Sequence, residues 1–160
     1  MIRLSRLADY GLLLMTQIAK SETVSLRNAH SLALESGLPL PTVSKLLKDL
    51  LRNGLLISHR GTKGGYRLAR SARNITVGEI VAVFEGEIAI TECSHTASGT
   101  CDLEVLCPIR TNMQVISQAV RAALEQVTLS DLVEPLRLTT VRDVQGRLLP
   151  RLGITPNRMQ

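Results

Sequence analysis

Three cysteines, Cys93, Cys101 and Cys107, stand within fifteen residues of a 160-residue chain that has no others. Thiols so concentrated are consistent with four chemistries: buried small hydrophobes, disulfide partners, a nucleophile with helpers, or ligands for a metal. An odd count argues against a disulfide framework. The start, Met1 to Tyr10, carries Asp9 where a secretory leader is apolar, so the expectation is a cytoplasmic protein with reduced thiols. The spacing is Cys-x7-Cys-x5-Cys with no close pair, a poor match to structural zinc, which favours paired ligands from tight turns. Thiolates also ligate iron–sulfur clusters, and a loose loop can wrap a cluster wider than one ion. At this point the cysteines leave those alternatives open.

The elements that must position them follow from charge and periodicity. Residues 1–73 hold 12 Lys plus Arg against 4 Asp plus Glu, residues 74–134 hold 2 against 9, and residues 135–160 hold 5 against 1. A basic front, an acidic middle and a basic tail describe a polyanion-binding module joined to something different. Hydrophobic residues make up 44% of the chain, with no Trp, two Tyr and one Phe, so the core is expected to be aliphatic. No apolar run reaches the roughly 18 residues of a membrane span.

Leu4, Leu7, Ala8, Gly11, Met15 and Ile18 recur at helical spacing and predict a helix over 3–20. Leu32 and Ala33 mark a second helix ending at Gly37, and Pro41 opens a third whose buried face is Val43, Leu46, Leu47 and Leu50. Pro41, Thr42, Ser44, Lys45 and Lys48 fall near its start and largely opposite that face. A glycine-containing turn between helices, with short polar and basic groups at the start of the second, is a helix-turn-helix pattern. Ser, Thr and Lys at that end can hydrogen-bond base edges in a major groove.

Two strands are then predicted, Leu55–Ser58 and Tyr66–Ala69, joined by His59-Arg60-Gly61-Thr62-Lys63-Gly64-Gly65. Such a basic hairpin makes a wing in which Arg60, Lys63, Gly64, Gly65 and Tyr66 can hold phosphates or enter the minor groove. Residues 76–86 predict a short helix, and Met113, Ile116, Val120, Ala123 and Val127 a long one with a coiled-coil-like seam. The expected fold is mainly α with a small β-wing. A winged helix-turn-helix DNA-binding domain occupies 1–86, a cysteine loop 87–108, a dimerisation helix region 109–134, and a basic, disordered tail 135–160. The expected partners are a double-stranded DNA operator and a second copy of the chain. No catalytic Ser/His/Asp, Cys/His or paired-carboxylate arrangement is visible, so neither an enzyme nor a small-molecule substrate is expected. Aromatic platforms for single-stranded nucleic acid are missing as well.

These residues resemble the Rrf-type winged helix-turn-helix regulators of bacteria, the group that includes the IscR and NsrR repressors. The likeness rests on residues 4–10, Gly-Leu-Pro-Leu-Pro-Thr-Val-Ser-Lys-Leu-Leu at 37–47, Gly-Leu-Leu at 54–56, the wing from Arg60 to Ala69, Glu85-Gly86, and the cysteines ahead of a long helix. The Leu-Pro-Leu-Pro-Thr-Val-Ser-Lys stretch and Ile90-Thr91-Glu92-Cys93 most resemble the branch that regulates the SUF iron–sulfur assembly system. The resemblance implies an iron–sulfur cluster on Cys93, Cys101 and Cys107, with 2Fe–2S slightly favoured over 4Fe–4S. It implies a redox-sensing repressor whose operator affinity the cluster sets. Relatives place a histidine ligand shortly after the third cysteine, where this chain has Arg110. Asp9 is the better residue candidate for the fourth ligand, matching an aspartate supplied across the dimer in the nitric-oxide-sensing branch; His95 is the lesser one, and solvent, a Glu or a small molecule are the alternatives.

Overall fold

The computed structural model describes residues 3–20, 26–61, 64–94, 101–102, 106–133, 138–142 and 148–152. Helix α1 spans Arg6–Lys20, α2 Ala29–Ser36 and α3 Leu40–Arg52; strands β1 (Leu56–His59) and β2 (Gly65–Leu68) follow. Then come α4 (Val77–Glu85), α5 (Arg110–Gln126), α6 (Leu129–Val133), and strands β3 (Leu138–Arg142) and β4 (Leu148–Leu152). The expected fold class is the observed one: helices around an aliphatic core, with one short antiparallel wing.

Each boundary has a local cause. Asn28 caps α2 by accepting the Ser31 N–H at 2.8 Å, and Gly37 ends it at φ 69°, a left-handed conformation suited to glycine. Pro41 sits in the first turn of α3, where a missing N–H costs nothing. Thr76 and Glu79 form a reciprocal capping box at the start of α4. Burial pushes the Glu79 carboxyl up, but the Thr76 N–H and the Arg70 guanidinium outweigh it and hold the group below its usual range.

The core joins Leu14, Met15 and Ile18 of α1, Leu32 of α2, and Val43, Leu46, Leu47 and Leu50 of α3 with Leu56, Ile75, Ile80 and Leu129. Between α1 and α4 the packing is close: a Cβ on Gly11 would lie 2.1 Å from Phe84 Cε2 and 2.8 Å from Cζ. Overpacking of that kind costs about 1–3 kcal/mol, more than the ~1 kcal/mol that a helical Gly→Ala change returns. Gly11→Ala should therefore lower the melting temperature by a few degrees. Adding Phe84→Leu should raise it again in thermal denaturation, which a purely helical effect would not do.

The strands begin and end one residue away from the expected positions. Leu55 is buried in the turn, its N–H donating to the Leu50 carbonyl at 3.0 Å, so pairing starts at Leu56 opposite Leu68. A third strand segment joins the wing. Arg27 pairs antiparallel with Tyr66 through hydrogen bonds of 2.9 and 2.8 Å. Gly65 permits this approach, because a Cβ there would meet the Arg27 carbonyl oxygen at 2.7 Å. Leu26-Arg27-Asn28 thus supplies a strand partner, Arg27, and a helix cap, Asn28.

The long helix expected within 109–134 is two helices. Val77 N–H donates to the Val127 carbonyl and Leu129 N–H to the Ile75 carbonyl, both at 2.8 Å, so the chain leaves α5 to pair with the segment before α4. Thr128 and Asp131 then cap α6 reciprocally. In the segment from Pro135 onward, read from sequence as disordered, β3 and β4 pair antiparallel, with Leu138 opposite Leu152 and Arg142 opposite Leu148. The β-branched run Thr139-Thr140-Val141, which pairs with Arg151, Pro150 and Leu149, is the cue that the Arg, Gly and Pro content of the tail obscures.

Candidate DNA-reading surface and cysteine loop

With Val43, Leu46, Leu47 and Leu50 turned into the core, α3 presents Pro41, Lys45, Lys48 and Arg52 on its outer side, all exposed. Their spacing of four, three and four residues makes one continuous stripe. Thr42 and Ser44 flank it half-buried. Arg52 lies 3.5 Å from Asp49, an exposed pair that neutralises the far end of the stripe more than the near end. The helix begins at Pro39 without a side-chain cap.

In the wing, Arg60 is exposed after β1, while Gly64, Gly65 and Tyr66 are half-buried on the return strand. Tyr66 is the pivot, since its backbone bonds Arg27 on one side while it sits opposite Ser58 on the other. Lys63 lies outside the described residues. Sequence reasoning did not find Arg27, whose ion pair with Glu35 ties the third strand segment to α2.

The run leading to the first cysteine is fixed to α5 by side chains one helical turn apart. Ser117, buried, accepts the Ile90 N–H at 3.1 Å and donates to Ser94 Oγ at 2.9 Å. Arg121 bonds Glu87 Oε1 at 2.7 Å and the Ile88 carbonyl at 3.3 Å. Ser94 Oγ donates to the Thr91 carbonyl at 2.7 Å, and Thr91 Oγ1 lies 3.3 Å from Cys93 Sγ. A chain of hydroxyls therefore links the Cys93 thiol, itself only 8% exposed, to the middle of α5. Cys107 stands at the other end of the connection, its carbonyl accepting the Arg110 N–H at 3.3 Å where α5 begins.

All three thiols are free, and Cys101 and Cys107 are half-buried. Among the described residues no three His, Cys, Asp or Glu side chains lie close enough to hold a metal ion. Asp9 is exposed on α1 and belongs to no such group; His95 lies outside the described residues. In donor chemistry the set suits a soft metal or cluster: three uncommitted thiols, with a further ligand still required from elsewhere.

Of the apolar residues that form the expected seam of α5, Ile116 and Ala123 are exposed, while Met113 and Val120 are half-buried on the side that faces their own protomer, together with Ser117 and Arg121. The outward apolar stripe is Val115 (58% exposed), Ile116 (43%), Ala119, Ala122 and Ala123.

The family model described as "Iron-dependent Transcriptional regulator", Rrf2, matches residues 4–135. The chain belongs to the Rrf2 family. It is 27% identical over 132 residues to the HTH-type transcriptional regulator NsrR of Halalkalibacterium halodurans, covering 82% of this chain and 90% of that one. Among solved structures it is similar to CymR, the global cysteine regulator of B. subtilis, with a TM-score of 0.66 and 29% identity over 83% of this chain and 97% of that one. T. potens IscR gives a TM-score of 0.63 and 28% identity, covering 82% and 86%. As an Rrf2 member this protein is a transcriptional regulator built on the winged helix of those structures. No helix among its described residues is long and apolar enough to cross a membrane.

Proposed function

We propose that this Rrf2 regulator binds operator DNA as a homodimer and that an iron–sulfur cluster on Cys93, Cys101 and Cys107 sets its affinity, with Asp9 of the partner subunit as the fourth ligand. Its targets are then genes of iron–sulfur assembly of the SUF type. The observation that carries the reading is the hydroxyl chain from Cys93 through Thr91 and Ser94 to Ser117. It ties a thiol to the same helix whose opposite side offers the apolar stripe for a second protomer.

Each part of the chain has a task in this reading. Pro41, Thr42, Ser44, Lys45 and Lys48 face the bases, while Arg60, Lys63, Gly64, Gly65 and Tyr66 hold the backbone or the minor groove. Val115, Ile116 and the alanines of α5 pair the protomers, and α1 carries Asp9 toward the partner. When bound, the cluster supplies a redox-sensitive link between the thiolates and Asp9. The two states of that link differ in how they hold the recognition helices relative to each other, and their difference in DNA affinity is the switch. A second reading, a switch by thiol oxidation, nitric oxide or zinc, draws on the three free cysteines alone.

The test is purification without oxygen, followed by a visible spectrum with iron and sulfide assays. Equal iron and sulfide, both lost in Cys101→Ala, is the expected result; colourless protein after reconstitution would transfer the switch to the thiols. The DNA half is tested separately on duplex DNA. If 6–10 phosphates are neutralised, affinity should fall roughly a thousandfold or more between 50 and 200 mM salt.

A further inference from the structure

The stripe on α3 does not begin with a polar residue. Pro39, Leu40 and Pro41 are consecutive and all exposed, with Leu40 at 42%. Leu34, 73% exposed, and Leu38 lie beside them across a shallow groove. Three carbon-only side chains therefore occupy the end of the recognition helix that must go deepest into a major groove. Pro41 is in line with Lys45 and Lys48, so this apolar tip is continuous with the basic stripe.

Neither leucine nor proline can donate or accept through its side chain, and proline has no N–H either. Base edges in the major groove are otherwise rows of donors and acceptors; their one apolar group is the C5-methyl of thymine. An apolar tip set against donors or acceptors would strip their water and return no hydrogen bond. Set against a methyl, it removes two apolar surfaces from water together. We propose that Leu40 and Pro41 read thymine methyl groups, and that the operator carries a thymine under the tip of α3 in each half-site. The proposal rests on α3 entering the major groove.

The size of the effect follows from the methyl. Burying one such carbon group is worth roughly 0.8 kcal/mol, about a fourfold change in the dissociation constant per half-site. Loss of the methyl in both half-sites should then cost about fifteenfold.

The test selects binding duplexes from random DNA with the full-length protein. The best duplex is resynthesised with deoxyuridine in place of each thymine in turn, which removes only the methyl. Fluorescence anisotropy should show a fourfold loss at one or two thymines per half-site and none at the others. Pro41→Ser and Leu40→Ala, both changes at exposed positions, should weaken binding to the thymine duplex more than to the deoxyuridine duplex, so that the fourfold methyl effect shrinks toward none. Full binding at every deoxyuridine position overturns the proposal while leaving the DNA-reading surface intact. So does an equal methyl effect in wild type and variants. Variants that bind DNA normally yet fail to regulate transcription would assign the tip to a protein partner instead. Failure to select any duplex in a salt-dependent manner would mean that α3 does not read DNA at all, and the proposal would fall with that reading.

Discussion

Ile116→Glu should leave this protein monomeric and weaken its hold on a two-half-site operator by about a hundredfold or more. Ile116 stands 43% exposed on α5, next to Val115 and in register with Ala119 and Ala123 on the side turned away from its own protomer. A carboxylate there has access to solvent in the isolated protomer. In a helix pair it would be desolvated against alanines that offer no cation, and a charge buried without a partner is strongly unfavourable. The alanines make the case stronger, because small side chains let two helices approach closely and leave no room for water beside the new group. Two coupled reading heads gain their avidity from being joined, typically 10²–10⁴-fold over one, and the monomer forfeits it. Light scattering after size exclusion reports the first effect and anisotropy on the duplex the second. A variant that remains dimeric would move the interface to the exposed Leu4, just before α1, and Leu7 and Leu13 on it.

On α3 two neighbouring residues should part company completely. Leu47 has no exposed surface and belongs to the cluster that joins α3 to α1 and β1. Truncating it removes buried carbon and leaves a cavity that a close-packed core cannot fully refill. Leu47→Ala is therefore expected to cost about 2–5 kcal/mol, a large share of the roughly 5–15 kcal/mol that holds a domain folded. Lys48, one position on, is exposed with Lys45 and Pro41. Lys48→Ala should move the melting temperature very little, since surface changes of this kind stay within about 0.5 kcal/mol. It should nevertheless reduce the slope of log affinity against log salt by about one. Melting curves and salt titrations on both variants decide it; a stable Leu47→Ala, or an unchanged salt slope in Lys48→Ala, would contradict the assignment of the two faces.

The reading helix was legible in the sequence because every signal for it is local. Pro41 opens it, Asn53-Gly54 closes it, and the three-and-four spacing of Val43, Leu46, Leu47 and Leu50 leaves one outward stripe. The same holds for α4, whose Thr76 and Glu79 stand three residues apart. Arg27 was not legible as a strand residue, since its partner Tyr66 is far along the chain and nothing near Arg27 announces it. The break after α5 was written in Thr128-Leu129-Ser130-Asp131, but apolar periodicity runs through it, and only the pairing of Val127 with Val77 shows why the helix stops. Periodicity also identifies apolar positions without saying which side the protomer keeps for itself. Met113 and Ile116 share one apolar period, yet the protomer half-buries the first and leaves the second exposed. The cysteines are the sharpest case: their number and spacing are plain, whereas the bonds that tie the run before Cys93 to α5, from Ser117 to Ile90 and Ser94, join residues far apart in the chain.

Leu129 lies in α6, beyond the cysteine loop and beyond α5, yet it is buried in the same core as Leu14 and Met15 near the start of the chain. The first and last helices of the family-matched region are thus neighbours, and the segment that carries the thiols is an excursion between two parts of one packed body. This bears on how such regulators can diversify by descent. A recombination joint placed anywhere between Gly86 and Thr128 would unite a reading head from one ancestor with an α6 from another, and the incoming residue would have to fill a cavity it did not evolve beside. Point changes along the cysteine loop carry no such constraint. Lineages of this architecture are thereby steered toward change by substitution within the excursion, while the winged helix and its closing helix are inherited together.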